Sequence, residues 1–131
     1  MRSRSAKRAA REAESQPARD ALRDRVGRCE YCGRHNAGLQ VHEILRGTGF
    51  RQKALDQPCA QLVLCHACHD IMGGRPLAEQ LAILCRSRPG DMNLTRFYEL
   101  SGRHDYPTRY DVNMWYKRLC FVPPMTYERI G

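Results

Sequence analysis

The sequence has no long hydrophobic run. No stretch approaches the roughly 18 apolar residues of a membrane helix, so we expect no membrane-spanning segment. The first fifteen residues, MRSRSAKRAAREAES, also lack the apolar core of a secretory signal. We therefore expect a cytoplasmic protein whose thiols are reduced.

Aromatic residues are scarce as well. They make up 8% of the 131 residues and include a single tryptophan. Hydrophobic residues account for 42%, which is enough for one modest core. Small domains with limited cores often depend on a metal or another cross-link for stability. The composition therefore favours a single fold that is stabilised by a metal.

Acidic residues are outnumbered by basic ones. The chain has 14 Asp and Glu against 22 Lys and Arg, and its formal net charge is +8. This surplus favours an anionic partner such as nucleic acid, with a merely soluble basic protein as the alternative. Much of the surplus lies in residues 1–26, which we predict to be a basic arm, partly disordered or helical. The arm either follows phosphates or is a solvated tail.

The seven cysteines include two CxxC pairs, Cys29 with Cys32 and Cys65 with Cys68. Four thiolates at the corners of a tetrahedron suit zinc, which imposes no other geometry. We therefore predict a structural zinc site, with a redox-active CxxC as the alternative. Because four protein ligands leave no open position on the zinc, any catalysis must come from other residues. Gly33 follows the first pair and is free to take a positive φ in a tight turn.

The stretch LQVHEIL has the character of a short strand. QLVLC is a short apolar run that leads into CHACHDIMGG, which ends at its glycines as a helix C-terminus does. Three further helices are predicted in PLAEQLAILCR, DMNLTRFYELSG and PTRYDVNMWYKRL, the first of them opened by a proline. The first strand carries an adjacent polar pair, His42 and Glu43. His42 is either a functional residue or a buried histidine that is satisfied by a backbone partner.

The segments CEYC, LQVHEIL and LVLCHACHD together resemble the HNH endonuclease family, whose fold is a ββα-metal finger. The resemblance runs from Cys29 to about Gly74. The longer stretch HEILRGTGFRQKAL is similar, more loosely, to a divergent subgroup of phage-like and uncharacterised bacterial proteins. The resemblance implies an α+β fold with a small ββα-metal core and a four-cysteine zinc knuckle at 27–75. The arm at 1–26 precedes this core, and from the apolar spacing of the later helices we expect a helical C-terminal extension at 76–131 that packs on it.

The resemblance also implies three catalytic residues. His42 falls on the family's metal-ligand position, His69 matches its closing histidine, and both would bind a catalytic Mg, Mn, Ni or Zn ion. Glu43 falls on the general-base position, where the family has a histidine. A free glutamate, with a pKa of about 4.3, is a weak base at neutral pH. The family's asparagine falls near Ala60, which cannot replace it.

Two arginines in the glycine-rich loop after the strand are candidates for nucleic-acid binding. The guanidinium groups of Arg46 and Arg51 could each bind phosphate oxygens through two parallel hydrogen bonds. We expect one or both to contact the DNA backbone. The alternative is a surface ion pair with Asp56 or Glu43.

Three functions from different classes fit these features. The first is an HNH-type endonuclease that hydrolyses DNA phosphodiester bonds with a divalent metal, in a site that is intact or catalytically degenerate. The second is a non-catalytic, zinc-stabilised module that binds DNA or RNA. The third is a small adaptor or assembly protein of a phage or mobile element. The sequence predicts no oligomeric state.

Overall fold

The fold is taken from a computed structural model, which describes residues 2–35, 38–45 and 51–121. Of residues 2–5, 51, 52 and 121 only the backbone is described. Two predicted phosphate contacts are affected. Arg46 lies outside the described residues, and so does the side chain of Arg51, so their role in binding DNA stays a prediction.

The N-terminal segment is a helix. Helix α1 (Arg2–Val26) is continuous over 25 residues, although Pro17 lies inside it. Leu22 on its inner face is buried. The helix is followed by Gly27, whose φ of 69° reverses the chain direction, a conformation that suits glycine. The described residues of the predicted arm are therefore helical.

Helix α1 is held against the body of the protein by ion pairs. Arg11 contacts Asp56 at 3.0 Å, and Arg19 lies 3.9 Å from the carboxylate of Glu43. Both pairs are at least partly buried, which makes them less sensitive to salt than surface pairs. Part of the basic charge of this helix is therefore neutralised within the protein.

A short antiparallel sheet and one helix follow. Strand β1 (Gln40–Glu43) pairs with strand β2 (Gln61–Leu64). Between them lie helix α2 (Arg51–Ala54) and a 3-10 turn at Pro58–Ala60. Helix α3 (His66–Met72) begins two residues after β2. The predicted mixed α+β class is confirmed, and the chain order is β1, β2, α3.

Strand β2 is buried on both faces. Leu62, Val63 and Leu64 have no exposed surface, and helices α1 and α3 both contact the strand. His42 of β1 lies opposite Leu62 in the register of the sheet. Because His42 is buried and its neighbours on β2 are apolar, its side chain requires a hydrogen-bond partner from another element.

The C-terminal half consists of three helices: α4 (Leu77–Ser87), α5 (Leu94–Ser101) and α6 (Arg109–Phe121). They agree with the three helices predicted from apolar spacing. Every residue of α4 from Ala78 to Leu84 is buried, and α6 packs along it. One hydrophobic core extends from Cys29 to Leu119. The described parts of segments 27–75 and 76–121 therefore share a core.

A buried ion pair joins these segments. Glu30, between the first two cysteines, receives hydrogen bonds on both carboxylate oxygens from Arg88, at 2.7 and 3.1 Å. It also accepts the backbone N–H of Val63 at 2.8 Å, and its own N–H donates to the Val63 carbonyl. Glu30 thus satisfies both backbone groups of Val63 in the middle of β2, one through its side chain and one through its own N–H.

Arg88, just after α4, is shared among several partners. Besides Glu30 it donates to Asp91 at 2.6 Å and to the backbone carbonyls of Pro58 and Gln61. Burial alone would lower the pKa of Arg88, but its hydrogen bonds to Glu30 and Asp91 raise it above the ordinary value. Arg88 therefore stays charged and connects the first CxxC turn, β2 and the end of α4.

Replacement of Arg88 by methionine is expected to destabilise the protein strongly. Removing one partner of a buried pair leaves the other charge buried and uncompensated, which costs about 3–5 kcal/mol. Urea unfolding of Arg88→Met should show this loss in the free energy of unfolding. The matched control is Arg96→Met, because Arg96 forms an exposed ion pair with Glu99 at 2.9 Å. A surface pair contributes about 1 kcal/mol or less, so equal losses in both variants would contradict the role given to Arg88.

Candidate functional site

The four predicted zinc ligands come together in space. The sulfur atoms of Cys29, Cys32, Cys65 and Cys68 all lie within 4.8 Å of one another, and all four residues are buried. The sulfurs of Cys32 and Cys65 are 3.8 Å apart, which is the separation of about 3.8 Å that Zn–S bonds of about 2.3 Å give in a tetrahedron. These four cysteines could hold a structural metal such as zinc.

The first CxxC turn is shaped by its backbone. The N–H of Gly33 donates to the Cys29 carbonyl at 2.9 Å, and the N–H of Cys29 donates to the Arg34 carbonyl at 2.7 Å. Gly33 has a φ of 85°, as predicted. A residue with a side chain would be strained there. This tight turn directs both sulfur atoms to the same side.

The second CxxC pair stands at the start of α3. Burial would raise the pKa of Cys65, but hydrogen bonds from the Cys68 backbone N–H and from neighbouring thiols lower it overall. Burial raises the pKa of both Cys32 and Cys68. The metal-free cluster therefore keeps protons that a metal must displace, so its affinity for zinc should fall as the pH falls.

Two histidines meet beside this cluster. His42 on β1 and His69 on α3 lie edge to face, with ring centroids 5.3 Å apart and planes at 84°. His42 is 1% exposed, whereas His69 is half-buried. His69 follows Cys68 directly, and its N–H donates to the Cys65 carbonyl at 2.8 Å. The same turn that positions the cysteines therefore positions His69 against β1.

The buried ring of His42 is held by α4. Its Nε2 lies 2.7 Å from the side-chain oxygen of Gln80. The amide nitrogen of Gln80 donates in turn to the Arg75 carbonyl at 2.9 Å. The sequence leaves His42 as either a functional residue or a buried histidine with a backbone partner. In the structure its hydrogen-bond partner is instead the buried side chain of Gln80, and the ring of His69 also contacts it.

Glu43 contacts a different part of the protein. It is 6% exposed and forms its ion pair with Arg19 of α1, whereas His42 contacts α3 and α4. Successive residues of a strand point to opposite faces of a sheet. The structure therefore brings His42 and His69 together and places Glu43 on the α1 side.

Three polar residues that support this region were not predicted from the sequence: Gln80, Glu30 and Arg88. For Gln80 a signal exists, because it lies on the same helical face as Leu77 and Leu84 of α4. A glutamine in an apolar stripe must have a polar partner inside the protein. For Glu30 and Arg88 we find no local signal, since their sequence positions are far apart.

No family model matches the chain, and neither a search of curated proteins nor one of solved structures finds a match. Among the described residues, no helix is long and apolar enough to cross a membrane. Groups of three or more His, Cys, Asp or Glu side chains that lie close together could also hold a metal. In the part of the chain that the structure describes, the group of this kind consists of the four cysteines.

Purified protein is expected to contain one zinc ion per chain, and Cys68→Ser is expected to lose both the zinc and the fold. Binding of a structural zinc supplies folding free energy on the order of 10 kcal/mol at neutral pH. Metal analysis and circular dichroism measure the two effects. Cys59→Ala is the control, because Cys59 is buried but lies outside the cluster. A wild-type protein free of zinc, or equal zinc in both variants, would contradict the assignment.

Proposed function

We propose that this protein is an HNH-type endonuclease that hydrolyses DNA phosphodiester bonds with a divalent metal held by His42 and His69. The observation that carries the proposal is the contact between these two rings, whose centroids are 5.3 Å apart. It occurs within a β1–β2–α3 unit, beside a four-cysteine cluster. This is the position where the sequence resemblance implies a catalytic metal.

The chemistry of the two side chains supports this choice. Neutral imidazoles suit Mn, Ni and Zn, and suit Mg less well. His42 is fixed inside the core, and the half-buried His69 gives the pair one side that reaches the surface. When bound, a divalent metal would supply the charge that stabilises the scissile phosphate and the leaving oxygen.

A surplus of positive charge supports a DNA substrate. The formal net charge is +8, and exposed cations on the described surface include Lys53, Arg103, Arg109 and Lys117. Such charges bind phosphates without regard to sequence and raise the rate of encounter with nucleic acid.

Glu43 favours a second candidate function. It occupies the family's base position, but its ion pair is with Arg19 on the α1 side. Strand alternation places this carboxylate on the opposite face of the sheet from His42 and His69, away from the atoms that a general base would have to reach. This observation favours a non-catalytic, zinc-stabilised module that binds DNA or RNA through the same fold.

Nicking of supercoiled plasmid separates the two functions. With Mg, Mn or Ni, the wild-type protein is expected to nick DNA, and His42→Ala and His69→Ala are expected to lose about 100-fold or more in rate. Groups that take part directly in proton transfer or metal binding typically contribute effects of this size. The matched control is His66→Ala, because His66 lies on the same helix but is exposed and faces Asp70 at 3.7 Å. Nicking that is absent with every metal, or that persists in both histidine variants, would exclude this active site.

DNA binding is expected in either case, and it should weaken steeply with salt. Each phosphate neutralised by the protein releases bound counterions, so the logarithm of the affinity falls linearly with the logarithm of the salt concentration. Fluorescence anisotropy with labelled duplex DNA measures this slope. The His42→Ala variant should give the same slope as the wild type. A protein that does not bind DNA even at low salt would exclude both functions.

A further inference from the structure

A buried side-chain amide on α4 contacts the candidate metal ligand His42. Gln80 is 2% exposed. Its Oε1 lies 2.7 Å from Nε2 of His42, and its Nε2 lies 2.9 Å from the carbonyl oxygen of Arg75. These two hydrogen bonds use both ends of one amide group.

The donor and acceptor of each of these two hydrogen bonds follow from the chemistry of the groups involved. A backbone carbonyl can only accept a hydrogen bond, so the amide nitrogen of Gln80 must face Arg75. The amide oxygen then faces His42, and because it too can only accept, Nε2 of His42 must carry the proton. Rotating the amide by 180° would place the Gln80 and Arg75 oxygens at hydrogen-bond distance with no proton between them, which is unfavourable.

The carbonyl that fixes this direction is itself held in place. The guanidinium of Arg75 makes two hydrogen bonds of 2.9 Å to the buried carboxylate of Glu79. The N–H of Arg75 donates to the Met72 carbonyl at 3.0 Å, and the N–H of Gln80 donates to the Pro76 carbonyl at 3.1 Å. The end of α3 and the start of α4 thus form a rigid support for the amide.

We propose that Gln80 is a positioning residue that holds His42 in its Nε2–H tautomer, so that Nδ1 is the nitrogen with the lone pair. A hydrogen-bond partner of this kind fixes both the tautomer and the ring orientation of a histidine that binds metal. The effect of this tautomer on metal binding rests on the proposed function, because it requires a metal at His42. The tautomer itself does not, because the hydrogen bond to Gln80 forms without a catalytic metal.

Nitrogen NMR of the zinc-loaded, full-length protein tests the tautomer directly. The two ring nitrogens of a neutral imidazole differ widely in chemical shift according to which one carries the proton. With ¹⁵N-labelled histidine, above the pH at which imidazoles titrate, His42 should show a protonated Nε2 and an unprotonated Nδ1. The signals missing from the spectrum of His42→Gln assign the residue. A protonated Nδ1 in the wild type overturns the inference, whatever the nicking assay gives.

The variant Gln80→Met tests whether Gln80 is the cause. It keeps the length of the side chain but removes the acceptor, so the His42 signals should shift toward a mixture of tautomers. Loss of such a supporting residue typically weakens metal binding by about 10- to 100-fold, which titration with Mn²⁺ followed by electron paramagnetic resonance would measure. The matched control is Gln61→Met, because Gln61 is equally buried and its amide donates to the Leu55 carbonyl at 2.6 Å instead.

The outcomes separate this inference from the proposed function. An unchanged tautomer in Gln80→Met, or an equal loss of Mn²⁺ binding in Gln61→Met, shows that Gln80 has no specific role. A wild type with the Nε2–H tautomer but without metal-dependent nicking supports this inference and excludes the nuclease.

Discussion

The two CxxC turns meet in the core, where they bring four buried sulfur atoms within 4.8 Å of one another. This meeting is a constraint that joins the chain before β1 to the start of α3, although the two turns are far apart in sequence. Cys65 and Cys68 also fix where α3 begins, and His69 is the next residue along that helix. A metal bound by the four sulfurs would therefore stabilise the fold and hold one of the two histidines in place.

Polar residues inside the core extend this constraint to the C-terminal helices. Glu30, inside the first CxxC turn, hydrogen-bonds to both β2 and Arg88. Gln80 reaches from α4 to His42 on β1. Each of these groups is nearly inaccessible to water, where an unmet hydrogen bond costs about 1–3 kcal/mol. The helical segment is therefore part of the same structure as the sheet and supplies partners that the sheet requires.

The sequence predicts those features that depend on neighbours along the chain. The two CxxC turns, the three C-terminal helices and the positive φ of Gly33 were all expected from local spacing and residue type, and the structure confirms them. Gly102, the last residue of the predicted helical stretch DMNLTRFYELSG, follows the end of α5 with a φ of 71°. Such features are accessible because each involves only a few consecutive residues.

Features that depend on distant residues could not be predicted. The pairing of Glu30 with Arg88 joins positions 58 residues apart, and no pattern in either segment indicates the other. The partners of His42 and Glu43 are a similar case. Alternation along a strand places neighbouring side chains on opposite faces, but only the placement of α1, α3 and α4 shows which side chains His42 and Glu43 contact.

The proposed nuclease requires His42 and His69 to bind one metal ion together. The most direct measurement is a crystal structure of the protein soaked with Mn²⁺, with anomalous data collected at the manganese edge. If the two histidines share a metal, an anomalous peak is expected between the two imidazoles, bonded to Nδ1 of His42. A manganese peak elsewhere, or two imidazoles that stay in contact with no metal between them, would contradict it.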